Sequence, residues 1–201
     1  EIDGFFERHA DVAAIGGKII PEYESGKPKW MSKYLLPLVA ALDRGDEVNE
    51  FTGSKFPIGA NMAFRKSVFD KYGLFDPELG RRGKGLEGGD EKEVFLRLKK
   101  GKEKIYYVPQ VAVRHIIPPH RVQIDYVKGL AKGVGASERK RLSKSGRLEV
   151  LDKIVGETIK IVGTPLLSLK YLLLGENAKA SMLIKFRIWV LMGYLKNYNN
   201  E

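Results

Sequence analysis

Three acidic side chains that directly follow a pair of glycines are the part of the sequence best suited to chemistry. Asp90, Glu91 and Glu93 come after Gly88 and Gly89 and stand at the start of an apolar-periodic run. A carboxylate fixed at a helix start can act as a general base, because the positive end of the helix dipole favours its ionised form. The same spacing also suits a helix start with Asp90 as N-cap and Glu93 closing a capping box. Taken alone, the spacing favours the cap.

The composition narrows the possible classes of protein. The chain has 201 residues, of which 43% are hydrophobic, enough for one domain with an appendage. The absence of cysteine excludes a disulfide framework and cysteine-based zinc or thiol chemistry, and it fits a reducing compartment. A net charge of +10 suits nucleic acid, an anionic membrane or a phosphorylated substrate. The densest basic segment, residues 120–147, has no nucleic-acid motif and no interleaved aromatics, so we expect no nucleic-acid partner.

The order of elements indicates an α/β fold with a helical C-terminal region. Strands and helices alternate up to about residue 117, and the pattern from residue 122 onward is helical. The predicted elements are a helix ending at residue 8, a buried strand at 11–20, a helix at 31–42, a strand at 61–64, a helix at 66–72 ended by Gly73, a glycine-rich loop at 74–90, a helix at 91–100 and two short strands broken at Pro109. We place the domain boundary between residues 120 and 121.

Four short motifs, in this order, resemble the second half of a family 2 glycosyltransferase of the GT-A fold. They are GANMAF at 59–64, GLFDPEL at 73–79, DEKEV at 90–94 and VRH at 113–115. Each motif alone is weak, whereas four in this order and with this spacing form a strong signal. The resemblance extends from the first residue to about residue 141, and more loosely through the tail. It implies a partial GT-A-like, Rossmann-like mixed sheet with flanking helices and a helical C-terminal appendage.

The resemblance also accounts for two missing features. No glycine-rich phosphate loop follows a strand, and the sequence contains no D-x-D pair of acids. In the family, both precede a segment that starts with a helix, as residues 1–19 do here. The resemblance therefore implies an acceptor-side portion without the nucleotide-binding half, and we expect this chain alone to transfer no sugar. A divalent metal, Mn²⁺ or Mg²⁺, would be bound mainly by the missing half.

In this family the acidic motif supplies the general base of an inverting sugar transfer. Glu91 stands where the family has the catalytic aspartate, and Asp90 stands where it has glutamate. Because the order is reversed here, the register favours Glu91 and the residue type favours Asp90, so both remain candidates. Glu93 is interpreted as a cap or a structural acid.

The resemblance implies further site residues, each of which also has a structural interpretation. Gly59 would let backbone amides approach the donor sugar, and Asn61 would offer hydrogen bonds near the acceptor. Together with Ala60 they can equally form only a tight turn. Trp30 would stack on a sugar ring or simply pack, and His115 would bind the metal on the diphosphate or form a structural hydrogen bond.

The C-terminal segment, residues 150–198, is apolar with basic residues spaced along it. It fits amphipathic helices on an anionic membrane surface and also a packed helical hairpin, and its apolar stretches are too short and interrupted to span a membrane.

The sequence leaves two candidate functions for this protein. The first is a glycosyltransferase that uses a nucleotide-sugar donor and a glycan or lipid-linked acceptor in polysaccharide or cell-envelope synthesis. It would be cytoplasmic, at the inner membrane face. The second is a non-catalytic basic module that binds an anionic membrane or polymer through residues 121–147.

Overall fold

The computed structural model describes residues 1–80, 89–143 and 146–195 of the chain. These residues form two compact units. The sheet unit consists of Glu1–Glu24, Leu36–Glu78 and Asp90–Ile117. The helical unit consists of Ser25–Leu35, Leu79–Gly89 and Pro118–Glu201, as far as these segments are described. Each unit therefore combines segments that are distant in sequence.

The sheet unit alternates helices and strands along the chain. In order, its elements are α1 (Ile2–Arg8), β1 (Val12–Tyr23), β2 (Asn49–Glu50), a 3₁₀ turn (Gly59–Asn61), β3 (Met62–Phe64), α2 (Lys66–Tyr72), α3 (Asp90–Lys100) and β4 (Lys104–Ile117). Helix α2 ends before Gly73 and helix α3 ends at Lys100, as the sequence predicts.

In the described residues the sheet has four strands in the order β2-β4-β1-β3. The two central strands, β1 and β4, are parallel, and the short edge strands β2 and β3 pair with them in antiparallel fashion. Strand β1 is buried without interruption from Val12 to Gly17, because a central strand of this kind is covered on both faces. The predicted α/β class is thus confirmed, and the mixed sheet is compatible with a partial Rossmann-like fold.

Helix α3 is held on the sheet by one apolar face. Val94, Phe95 and Leu98 are fully buried in the cluster that also contains part of β1. The ring of Phe95 stacks on Phe64 of β3, with centroids 5.0 Å apart, and on Phe56, with centroids 6.1 Å apart. The polar face of α3 is therefore directed to the loops around the sheet.

The helical unit contains three long helices. They are α4 (Ile124–Ser143), α5 (Arg147–Leu173) and α6 (Asn177–Leu195), preceded by a 3₁₀ turn at Pro119–Val122. Helix α6 packs against both α4 and α5 and buries Ala180, Met182, Leu183 and Val190. Among the described helices, none combines the length and the apolar character needed to cross a membrane.

Two predictions about the secondary structure are wrong. Residues 31–42 do not form an α-helix but contain a 3₁₀ turn, Lys33–Val39, because Pro37 has no backbone N–H to continue a helix. The two strands predicted on either side of Pro109 form one strand, β4, whose register shifts at this proline. Residues 81–88 of the predicted glycine-rich loop lie outside the described residues.

Glu103 connects α2 to the start of β4. Its carboxylate accepts hydrogen bonds from Lys71 Nζ at 2.8 Å and from the Tyr72 hydroxyl at 2.6 Å. The bond from Lys71, followed by that from Tyr72, lowers the pKa of Glu103 from its ordinary value of 4.5. A lowered pKa means that folding favours the ionised carboxylate. The stabilisation is therefore complete above pH 4.5 and is lost as the pH falls through the lowered value.

We predict that Glu103→Gln lowers the free energy of unfolding by about 1 kcal/mol at neutral pH. The loss should shrink in acid, because the native Glu103 is then protonated as well. Urea unfolding at neutral and strongly acidic pH measures both values. Glu24→Gln, at an exposed position, serves as the control and should change little at either pH. An equal loss from Glu103→Gln at both pH values would contradict the ion pair.

Candidate active site

The carboxylate of Glu91 lies directly against the backbone of Gly59. A Cβ atom added to Gly59 would lie 2.0 Å from Glu91 Oε1 and 2.8 Å from its Cδ, so no larger residue fits without movement. The first turn of α3 and the 3₁₀ turn at Gly59–Asn61 therefore meet at these two residues. The structure brings together the two motifs that the sequence suggested as catalytic acid and substrate loop.

Asn61 fixes the turn that carries Gly59. Its side chain is buried, and its amide nitrogen donates to the carbonyl oxygen of Lys18 at 3.1 Å and to that of Val111 at 2.8 Å. A Cβ on Gly17 would lie 1.7 Å from the Val111 oxygen and 2.3 Å from the Asn61 nitrogen, so a glycine is required here too. The two amide hydrogens of Asn61 are thus used by the sheet, and a hydrogen bond from this residue to an acceptor stays a prediction.

Arg97 of α3 holds the chain that leaves α2. Its guanidinium donates to the carbonyl oxygens of Tyr72, Gly73 and Leu74, the last at 2.8 Å. Glu93 orients this guanidinium through an ion pair of 2.8 Å. The i, i+4 spacing of Glu93 and Arg97 is the signal that could have indicated the pair from the sequence. The structural role suggested for Glu93 agrees with this contact.

Lys99 anchors the loop that precedes the Gly59 turn. Its Nζ donates to the carbonyl oxygen of Gly53 at 2.7 Å and to that of Lys55. Burial, followed by the nearby charge of Arg44, lowers the pKa of Lys99.

Asp90 and Ala60 are the remaining candidate site residues of the two motifs. Asp90 is the first residue of α3, so Gly89 rather than Asp90 precedes the helix. Its side chain is half-buried, like that of Glu91, and Ala60 is exposed in the turn. The geometry thus gives Glu91 a defined contact with the Gly59 turn, and the choice between Glu91 and Asp90 as base remains a prediction.

Trp30 and His115 are the other two side chains that the sequence suggested for the site. Trp30 is half-buried and belongs to the helical unit, and its role at an acceptor site stays a prediction. His115 is half-buried on β4, in register with Pro21 of β1. In the described part of the chain, no group of three or more His, Cys, Asp or Glu residues could hold a metal ion. The role of His115 as a metal ligand stays a prediction.

Comparison with known proteins supports the class that the motifs suggest. No family model and no solved structure matches the chain. The chain is 26% identical over 137 residues to the glucosyl-dolichyl phosphate glucuronosyltransferase of Haloferax volcanii. The match covers 67% of this chain and 43% of the relative, so the chain spans less than half of that protein. A distant relative is thus a glycosyltransferase, which supports a glycosyltransferase role in general terms.

We predict that Gly59→Ala destabilises the chain by about 0.5–1.5 kcal/mol, because the added methyl group forces the end of the Glu91 side chain out of its position. The same change in a Glu91→Ala background should cost much less, since the overlapping atoms are gone. Urea unfolding of the wild type, both single variants and the double variant gives the coupling energy.

The control for this cycle is Gly156→Ala in α5, where a Cβ meets nothing within 4 Å. That change should be neutral or stabilise the helix by roughly 0.5–1 kcal/mol. If Gly59→Ala costs the same with and without the Glu91 side chain, the two residues are not in contact.

Proposed function

We propose that this chain is the acceptor-side portion of a nucleotide-sugar-dependent, inverting glycosyltransferase of the family 2 type with a GT-A fold. The observation that carries the proposal is the contact between the Glu91 carboxylate and Gly59. It places an acid at the first turn of a rigid helix and directly over the turn of the GANMAF motif. Such a carboxylate is favoured in its ionised form by the helix dipole, as a general base requires.

In the proposed step, Glu91 accepts the proton of an acceptor hydroxyl group. The hydroxyl oxygen forms a bond to the anomeric carbon of the donor sugar as the bond from that carbon to the diphosphate oxygen breaks. The bonding electrons leave with the nucleoside diphosphate, and the configuration at the anomeric carbon is inverted. Asp90, which precedes Glu91 in the same turn, is the second candidate for the base.

The relative's name indicates the substrates that should be tested first. That protein is a glucuronosyltransferase that acts on glucosyl-dolichyl phosphate, as its name states. By extension we propose a nucleotide-sugar donor and a lipid-linked glycan acceptor for this chain, in envelope glycan synthesis at the cytoplasmic membrane face. We further propose that the chain needs a nucleotide-binding half for turnover. The divalent cation that the resemblance implies would be held mainly by the nucleotide-binding half, and His115 is the predicted ligand in this chain.

The alternative of a non-catalytic basic module has less support from the structure. Two of the basic side chains it would use are engaged inside the helical unit. Arg141 pairs with Glu138 at 3.3 Å, with both side chains largely buried, and Arg139 donates to the carbonyl oxygen of Tyr194 at 3.4 Å. Lys128 and Lys132 on α4 are exposed and remain available to this alternative.

We predict that Glu91→Gln in the complete protein lowers kcat by about 10²–10⁴. The amide has nearly the size of the carboxylate but accepts no proton, so the melting temperature should barely change. Sugar transfer from a panel of nucleotide sugars, including a glucuronic acid donor, to a glucosyl lipid phosphate measures the effect.

Glu93→Gln is the matched control, because it makes the same change two residues further along α3. It weakens the ion pair with Arg97 and should lower stability while kcat stays within a few-fold of wild type. Full activity of a Glu91→Gln, Asp90→Asn double variant would show that these acids only start the helix.

A further inference from the structure

Helix α5 carries a long stripe of apolar side chains on its outer surface. The members are spaced three or four residues apart and are each between 53% and 80% exposed: Leu151, Val155, Ile159, Val162, Leu166, Leu169 and Leu173. This spacing keeps them on one side of the helix. The stripe is roughly 33 Å long at the α-helical rise of 1.5 Å per residue. A soluble helix seldom exposes so long an apolar stripe to water.

The opposite, packed face of α5 is polar. Thr164 and Ser168 are buried, and the Ser168 hydroxyl donates to the carbonyl oxygen of Ala180 at the start of α6 at 3.2 Å. Glu157 forms an ion pair of 3.0 Å with Arg187 of α6, and both side chains are less than 20% exposed. Helix α5 therefore places polar groups inside and apolar groups outside, the reverse of an amphipathic helix in water.

The charges near the stripe are those that an anionic surface attracts. Over the length of the stripe, residues 151–173, the sequence contains two acids, Asp152 and Glu157, and three lysines, Lys153, Lys160 and Lys170. Glu157 is paired with Arg187. Among the charged residues of this span whose side-chain exposure is described, Lys160 and Lys170 are exposed. Lys160 also contacts Glu157 at 2.8 Å, so Lys170 is the clearer site for a lipid phosphate.

A second copy of the chain fits this stripe less well. Helices that pair through such a stripe carry complementary charges at the flanking positions, which set their register. Here Lys170 is the one charged residue at these flanking positions, and no acid stands there to pair with it; the positions hold Gly156, Thr158, Gly163, Pro165, Lys170 and Leu172. A helix with an apolar face, lysines at its margins and too little apolar character to span a membrane is suited to the membrane interface.

We propose that the outer face of α5 binds the surface of an anionic lipid bilayer, with the helix lying in the plane of the interface. The proposal is independent of sugar transfer, because it concerns a surface of the helical unit and is tested by binding. Vesicles of equal parts phosphatidylcholine and phosphatidylglycerol should bind the chain, and binding should weaken with salt.

The first test replaces Leu166 and Leu169 by glutamate in the intact chain. Each change should weaken vesicle binding about tenfold or more, since burial of one leucine is worth roughly a decade of affinity. The matched control replaces Leu74 and Val48, which are exposed in the sheet unit, by glutamate. It changes the net charge equally and should leave binding within about twofold, so equal losses from both pairs would overturn the proposal.

The second test uses the absence of native cysteine to place one label at a time. An environment-sensitive fluorophore on Leu166→Cys should be quenched by lipid-borne quenchers, whereas the same label on Leu74→Cys should not. This comparison remains decisive if the glutamate variants fail to fold. Lack of quenching at position 166 in the presence of vesicles would overturn the proposal. A second result would also overturn the proposal: the wild-type chain is a dimer by light scattering, the two glutamate substitutions abolish this dimer, and the wild-type chain does not bind vesicles.

Discussion

The side-chain amide of Asn61 joins the two parallel strands where their pairing is interrupted, and the candidate site depends on it. The register between β1 and β4 shifts after Gly17, and Asn61 donates to one carbonyl oxygen of each strand at this place. A buried carbonyl left without a donor costs about 1–3 kcal/mol. The turn that carries Asn61 therefore cannot leave the sheet without losing both bonds. Gly59, two residues earlier, is fixed by the same contacts.

Helix α3 provides the other half of the site through side chains that reach the surrounding backbone. Glu91 lies against Gly59. Arg97 donates a hydrogen bond to a backbone carbonyl oxygen after α2, and Lys99 donates one to a backbone carbonyl oxygen before the Gly59 turn. The opposite face of the helix is fully buried, so the helix cannot rotate to redirect these side chains. Such a fixed position suits a carboxylate that must meet a substrate proton at hydrogen-bond distance.

The secondary-structure elements that could be predicted from the sequence are those whose start, end and apolar pattern lie within a short stretch of residues. Helix α2 with its terminal glycine, helix α3 and the buried part of β1 all follow from periodicity and end signals within about ten residues. The partners of Asn61 lie 43 and 50 residues away, and no local pattern indicates them. The composition likewise indicated an apolar C-terminal segment at residues 150–198, but not that the polar side of α5 packs on α6. The contact of Glu91 with Gly59 depends on a loop and a helix that only the folded sheet brings together.

The contact between Gly59 and Glu91 can be measured directly by nuclear magnetic resonance on the isotopically labelled chain. We predict a nuclear Overhauser effect between the Gly59 Hα protons and the Glu91 Hγ protons. It should weaken in Asn61→Ala, because the turn is then released from the two strands. If the wild-type chain shows no such effect, and the Glu91 side chain has cross-peaks only within its own helix, the proposed arrangement of the site is wrong.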